Sequence, residues 1–128
     1  MITIDKGTLE LRGILAANVT TQPMANVVFS DQDPQGAITK YGSKQTSYNH
    51  STYVIVCASP PQNFVRNIES LQIYNADSAT VTHRLFMYDT ALSTSTMAFA
   101  NMALLTTEVF GYENGFGFYS MTSTGARK

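Results

Sequence analysis

The strongest constraint on this chain is how little of it can be helical. Val, Ile, Thr, Tyr and Phe supply 45 of its 128 residues, and branched and aromatic side chains fit a pleated, half-buried surface better than a helix. No stretch keeps apolar residues at i, i+3, i+4 and i+7 over three turns without interruption by Gly, Pro or Thr clusters. The expected fold class is therefore all-β, and a chain of this length supports one domain spanning residues 1–128.

Short alternating runs separated by turn formers carry that expectation along the chain. Residues 2–14 alternate on either side of Lys6 and Gly7 and read as a hairpin. Residues 25–30 read as a strand ended by the DQDPQG turn at 31–36. Residues 37–51 form the longest segment without a period and read as a polar loop. Residues 52–58 form a strand stopped by Pro60 and Pro61. In residues 64–74 the phase slips: Phe64, Arg66 and Ile68 share one parity, Leu71 and Ile73 the other, which a β-bulge near Glu69 and Ser70 reconciles. After a turn at 75–78, residues 80–88 put Val81, His83, Leu85 and Met87 on one face, and this strand is expected to pair with 64–74 as a hairpin. Residues 89–96 read as a Ser/Thr loop and 97–105 as a strand, although Ala and Met there also suit a helical turn. Residues 108–113 and 116–121 flank Asn114 and Gly115, a pair that favours a type I′ turn. About eight short strands without a long helix imply an antiparallel β-sandwich, with the jelly roll as one variant.

Polarity here comes from neutral side chains. Charged residues are 13% of the chain against about 25% in an ordinary soluble domain, while Thr, Ser and Asn number 16, 11 and 8. A net charge of −1 gives no basis for gripping a phosphate backbone, so nucleic acid is not an expected partner. The longest apolar runs fall far short of the roughly 20 residues of a membrane helix. No membrane partner is expected. The first residues lack the pattern of a signal peptide, and a single cysteine excludes an internal disulfide or a cysteine-rich zinc site.

The chemistry-bearing residues assemble into no recognised site. His50 and His83 are the only imidazoles for a nucleophilic triad. His83 falls on an apolar parity and reads as a buried, hydrogen-bonded core residue; His50 lies in a polar stretch; Cys57 reads as an inert buried thiol. Asp31 with Asp33 reads as a polar turn, and Asp77 and Asp89 as turn caps. Gly111, Gly115 and Gly117 precede neither helix nor lysine, so they read as hairpin glycines. No catalytic, cofactor-binding or metal-binding residue is nominated, no cofactor is expected, and the protein is expected not to be an enzyme. Tyr41, Tyr48, Tyr53 and Tyr119 are candidate stacking platforms for a carbohydrate-binding module, the reading from another class.

Several segments together resemble a family of small bacteriophage virion proteins: SLQIYNAD (70–77), ATVTHRL (79–85) and TEVFGYENGFGFY (107–119), with an opening of MITID (1–5), LEL (9–11) and VTTQP (19–23). Where that family usually carries a glycine or proline turn before the glutamate, this chain has Leu105, Thr106 and Thr107. The resemblance implies a structural virion component: a decoration or cement protein on the capsid exterior, commonly a homotrimer, assembled in the host cytoplasm and bound to the major capsid protein. A tail or head-to-tail adaptor that attaches fibres is the alternative within the virion. Independently, a hydroxyl- and amide-rich exterior loses little tightly bound water when flat faces dock. Residues 1–22, as an arm, or 37–51, as a loop ordered by a partner, are the expected gripping elements.

Overall fold

A computed structural model describes residues 2–5, 7–122 and 124–126, the side chain of Ala100 excepted. They form ten strands and no helix: β1 (Thr3–Ile4), β2 (Leu9–Leu15), β3 (Met24–Gln32), β4 (Ile38–Ser47), β5 (Val54–Cys57), β6 (Val65–Tyr74), β7 (Val81–Asp89), β8 (Thr94–Leu104), β9 (Val109–Glu113) and β10 (Gly117–Met121). All pairings are antiparallel, in two sheets packed face to face. One sheet runs β10-β9-β6-β3-β4, with β1 also on β6; the other runs β5-β2-β7-β8. The chain is a β-sandwich. The nesting of a jelly roll is present where β2 pairs with β7 and β3 with β6, and it ends there, because β4 stays beside β3 and β5 beside β2.

Between the sheets lies one apolar core, in which Ile4, Leu11, Val27, Val56, Ile68, Leu71, Ile73, Val81, Leu85 and Leu104 are fully buried. β6 organises the larger sheet. Val28 pairs with Ser70 and Phe29 with Ile68, so Glu69 has no opposite residue on β3. This is the bulge that the phase slip called for, and it keeps both Ile68 and Leu71 in the core. On the other edge of β6 the bulge divides two partners: β1 pairs with Arg66 and Asn67, and β9 with 70–74. The Tyr112 hydroxyl closes the gap by accepting a hydrogen bond of 2.8 Å from the Ile2 amide.

Both expected hairpins across sheet boundaries are corrected. β1 joins β6, whereas β2 is a central strand of the opposite sheet, so the chain changes layers between Ile4 and Leu9. β6 and β7 likewise lie in different sheets. The corner between them is built by Asn75, whose Nδ2 donates to the carbonyls of Ala79 (3.0 Å) and Leu104 (2.9 Å) while its Oδ1 accepts from the Asp77 amide (2.9 Å). That set of bonds turns the chain through the thickness of the sandwich instead of folding it back within one sheet.

Residues 37–51 also differ from the expectation of a loop. Residues 38–47 are β4, an edge strand paired with β3 along its length after a turn in which Asp33 Oδ1 accepts from the amides of Gln35 (3.0 Å) and Ala37 (2.9 Å). An edge strand with solvent on both sides has no apolar alternation to display, hence the missing period. Within residues 1–22, β1 and β2 belong to the two sheets, and 16–22 is exposed except for Val19, which packs against the core; Met1 and Lys6 lie outside the described residues. The β9-β10 hairpin forms, with Phe116 N donating to Glu113 O across Asn114 and Gly115. Its turn is not type I′, which needs positive φ at both central residues. Gly115 has φ 86 and Asn114 is not left-handed.

Candidate assembly surface

The residues with catalytic potential are dispersed or already occupied. His83 is fully buried, as its parity predicts, but neither ring nitrogen has a hydrogen-bond partner, which corrects the expectation of a hydrogen-bonded imidazole. Its neighbours are the rings of Tyr48 (6.0 Å between centroids) and Phe110 (5.2 Å), and burial pushes its pKa down to about 4. Tyr48 is itself fully buried, with its hydroxyl unpartnered. The Cys57 thiol is buried, and desolvation raises its pKa, the state of an inert thiol.

Asp31 is not in the turn that Asp33 caps. It lies in β3, 1% exposed, and makes a bidentate ion pair with Arg66 (Nε to Oδ1 2.8 Å, Nη2 to Oδ2 2.9 Å). Arg66 Nη1 reaches across to the Ala58 carbonyl (3.0 Å), so this pair ties the larger sheet to the segment that leaves β5. Asp89 caps the β7-β8 turn through the Ala91 amide (2.9 Å), and Asp77 Oδ1 accepts from the Ser78 amide (2.9 Å). No three His, Cys, Asp or Glu residues among those described are grouped to hold a metal ion. A cavity of about 260 Å³ opens at one end of the sandwich, lined by Ile2, Thr3, Asp5, Leu9, Met87, Thr96, Met97 and Phe99. Among the described lining residues Asp5 is the titratable one.

The tyrosines named as stacking platforms are separated. Tyr48 is in the core, against the expectation of exposure. Tyr41 and Tyr119 lie on the larger sheet, and Tyr53 lies on the outer side of the smaller one, where Tyr53 and Tyr88 sandwich the Arg12 guanidinium at 3.8 and 3.7 Å. Arg12 Nη2 also donates to Glu10 (2.8 Å). Here two aromatic faces and a carboxylate shield a cation above the centre of β2.

What the register does assemble is a surface. The outward residues of the six-stranded sheet align in cross-strand rows: Ser47, Met24, Tyr74, Val109 and Met121 in one, Gln45, Asn26, Gln72, Gly111 and Tyr119 in the next, and Ser43, Val28, Ser70 and Glu113 in a third. Met24, Val28 and Tyr74 are each about 40% exposed. Among the described strand residues of this face, Glu69 and Glu113 are the charged ones. Glu69 is held by Ser30 Oγ (2.6 Å) and Asn114 Nδ2 (3.3 Å). Tyr119 covers Gly111, donating its position to a broad plane with Gln72 Nε2 on its hydroxyl (3.2 Å). The sequence signal for this face was the Ser/Thr/Asn/Gln excess; its continuity depends on strand order, which neither composition nor alternation contains. Comparison with protein families, curated proteins and solved structures found no match to this chain.

Proposed function

We propose that this chain is a non-enzymatic structural protein of a bacteriophage virion, a cement or decoration protein that adheres to the assembled shell through the outer face of its six-stranded sheet. The observation that carries the reading is the near absence of charge on that face combined with its apolar row Met24, Tyr74, Val109 and Met121. Docking such a face desolvates few ions and immobilises few long side chains, so modest contacts yield net adhesion. The resemblance of residues 70–85 and 107–119 to small virion proteins supports the same reading. A protein that binds the closed lattice better than free subunits stabilises the lattice by mass action. The partner is the major capsid protein on the virion exterior, and copies of the chain meet as a homotrimer, which multiplies each contact.

The test is co-sedimentation with purified shells using Val28→Lys and Gln72→Lys, substitutions at exposed positions that leave the core untouched. Loss of shell binding with an unchanged unfolding midpoint is the expected result; undiminished binding by both variants, or no binding by the wild type, overturns it. A tail or head-to-tail adaptor is the alternative, and copy number separates them: hundreds per particle for cement, about a dozen for a tail site. The carbohydrate-binding reading is weaker, because Tyr48 is buried and Tyr53 belongs to the other sheet, which leaves Tyr41 and Tyr119 on strands at opposite edges of the larger one.

A further inference from the structure

The sandwich has unequal edges. β4 carries Lys40 and Lys44, and Lys44 Nζ (2.9 Å) and Thr46 Oγ1 (3.4 Å) both donate to the Ile55 carbonyl at the β5 edge, so one side of the sandwich is guarded by cations and closed by side chains. On the other side β8 is the terminal strand of the smaller sheet, eleven residues long. From residue 90 to residue 107 the chain contains no charged residue, no glycine and no proline. Charged side chains, proline, short length and bulges are the usual means by which an edge strand avoids pairing with another chain. β8 uses only the last. Register shifts leave Thr96 and Phe99 without opposite residues on β7, which breaks up its first half. From residue 100 to residue 104 the pairing with β7 is regular, no strand among the described residues pairs with the other edge, and Leu105 beyond it is 54% exposed.

We infer that residues 100–104 of β8 pair antiparallel with the same segment of a second copy, joining two four-stranded sheets into one of eight strands. Two-fold pairing of a strand with itself sets residues near the axis opposite their own mates or near neighbours, so any charge there would meet a like charge. The uncharged stretch removes that repulsion. A dissimilar partner would gain from a complementary charge on β8, and none is offered. Asn101 and Ala103 are exposed on the outer side of the strand, where Asn101 can bond across the axis. Five residues make a contact below the roughly 1,200 Å² of a stable interface, so it forms at high concentration or when copies are crowded on a surface. This inference is independent of which lattice the other sheet binds.

Sedimentation velocity at increasing concentration tests it, with Asn101→Lys and Asn101→Glu prepared separately and mixed. The pairing is a two-fold contact made in addition to the trimer of the proposed function, and the expected result is concentration-dependent association of the wild type beyond that trimer, an at least tenfold weaker association of this step in each variant alone, and recovery in the equimolar mixture. Association that is equal in all samples, or absent from the wild type at the highest concentration, overturns it. Recovery only on adding a different protein also overturns it. Shell binding by the Asn101 variants, read in parallel, separates failure here from failure of the proposed function, because Asn101 is not on the six-stranded sheet.

Discussion

The ring of Tyr48 occupies the space that a side chain at residue 13 would need: a Cβ on Gly13 would overlap its Cζ, Oη and Cε1 atoms. Gly13 sits in β2, paired with Leu85 on one side and Val54 on the other, and Tyr48 arrives from the end of β4 to fill the gap over it. The glycine is what admits a large aromatic into the middle of the smaller sheet's inner face.

Gly13→Ala should therefore destabilise the fold by about 1–3 kcal/mol, the usual range for forcing atoms into a packed interior. Tyr48→Phe should be neutral or stabilising, because the hydroxyl it deletes is buried without a partner and costs desolvation in the native state. Denaturant midpoints of the two variants measure both. A loss above about 1 kcal/mol for Tyr48→Phe would count against an unpartnered hydroxyl.

Stability should fall with acidification through His83. Its folded pKa, about 4, lies below its unfolded value of 6.5, so between these values the unfolded chain binds the extra proton. The folded state keeps its full advantage above pH 6.5 and loses it as pH falls toward 4. For a fully buried imidazole the loss is about 3 kcal/mol between pH 7 and pH 4, at a slope of at most about 1.4 kcal/mol per unit. His83→Leu should flatten that part of the profile; equal slopes in wild type and variant would contradict the assignment.

Breaking the buried Asp31 and Arg66 pair should be among the costliest single changes. Asp31→Ala leaves the guanidinium without its bidentate partner and should cost about 3–5 kcal/mol, whereas Asp31→Leu combined with Arg66→Met should recover most of it, since both charges then leave the interior. Chemical denaturation of the single and double variants reads this directly. A double variant as unstable as Asp31→Ala alone would show that packing over Phe29, 3.9 Å from the guanidinium, matters more than charge.

Thr107 adopts φ 63, a left-handed conformation in the turn before Glu108. A branched side chain there is strained by about 1–2 kcal/mol. Thr107→Gly should thus raise stability by about 0.5–1 kcal/mol after the added flexibility of the unfolded chain is subtracted. The same denaturation assay decides it, and a decrease would mean that the threonine hydroxyl outweighs the strain.

Alternation made much of the scaffold readable. It placed His83 in the core beside Val81 and Leu85, and the phase slip located the Glu69 bulge, because a two-residue period records directly which side of a strand each residue faces. It could not tell which sheet a strand belongs to. Both layers of a sandwich bury one face, so β1 and β2, or β6 and β7, read as hairpins although each pair is split between sheets. Tyr48 was misread for a related reason: its polar neighbours suggested solvent, and only the approach of Gly13 from a strand far away in sequence gives its ring a place inside.

The sequence by itself determined the class of architecture, the facing of most side chains and a largely uncharged exterior, since these follow from residue type and local period. The tertiary structure alone decided which strands are neighbours. It thereby set which neutral residues merge into one face, which edge carries lysines and which is bare, because adjacency between distant segments depends on the packing of the whole core and leaves no trace in any single stretch of chain.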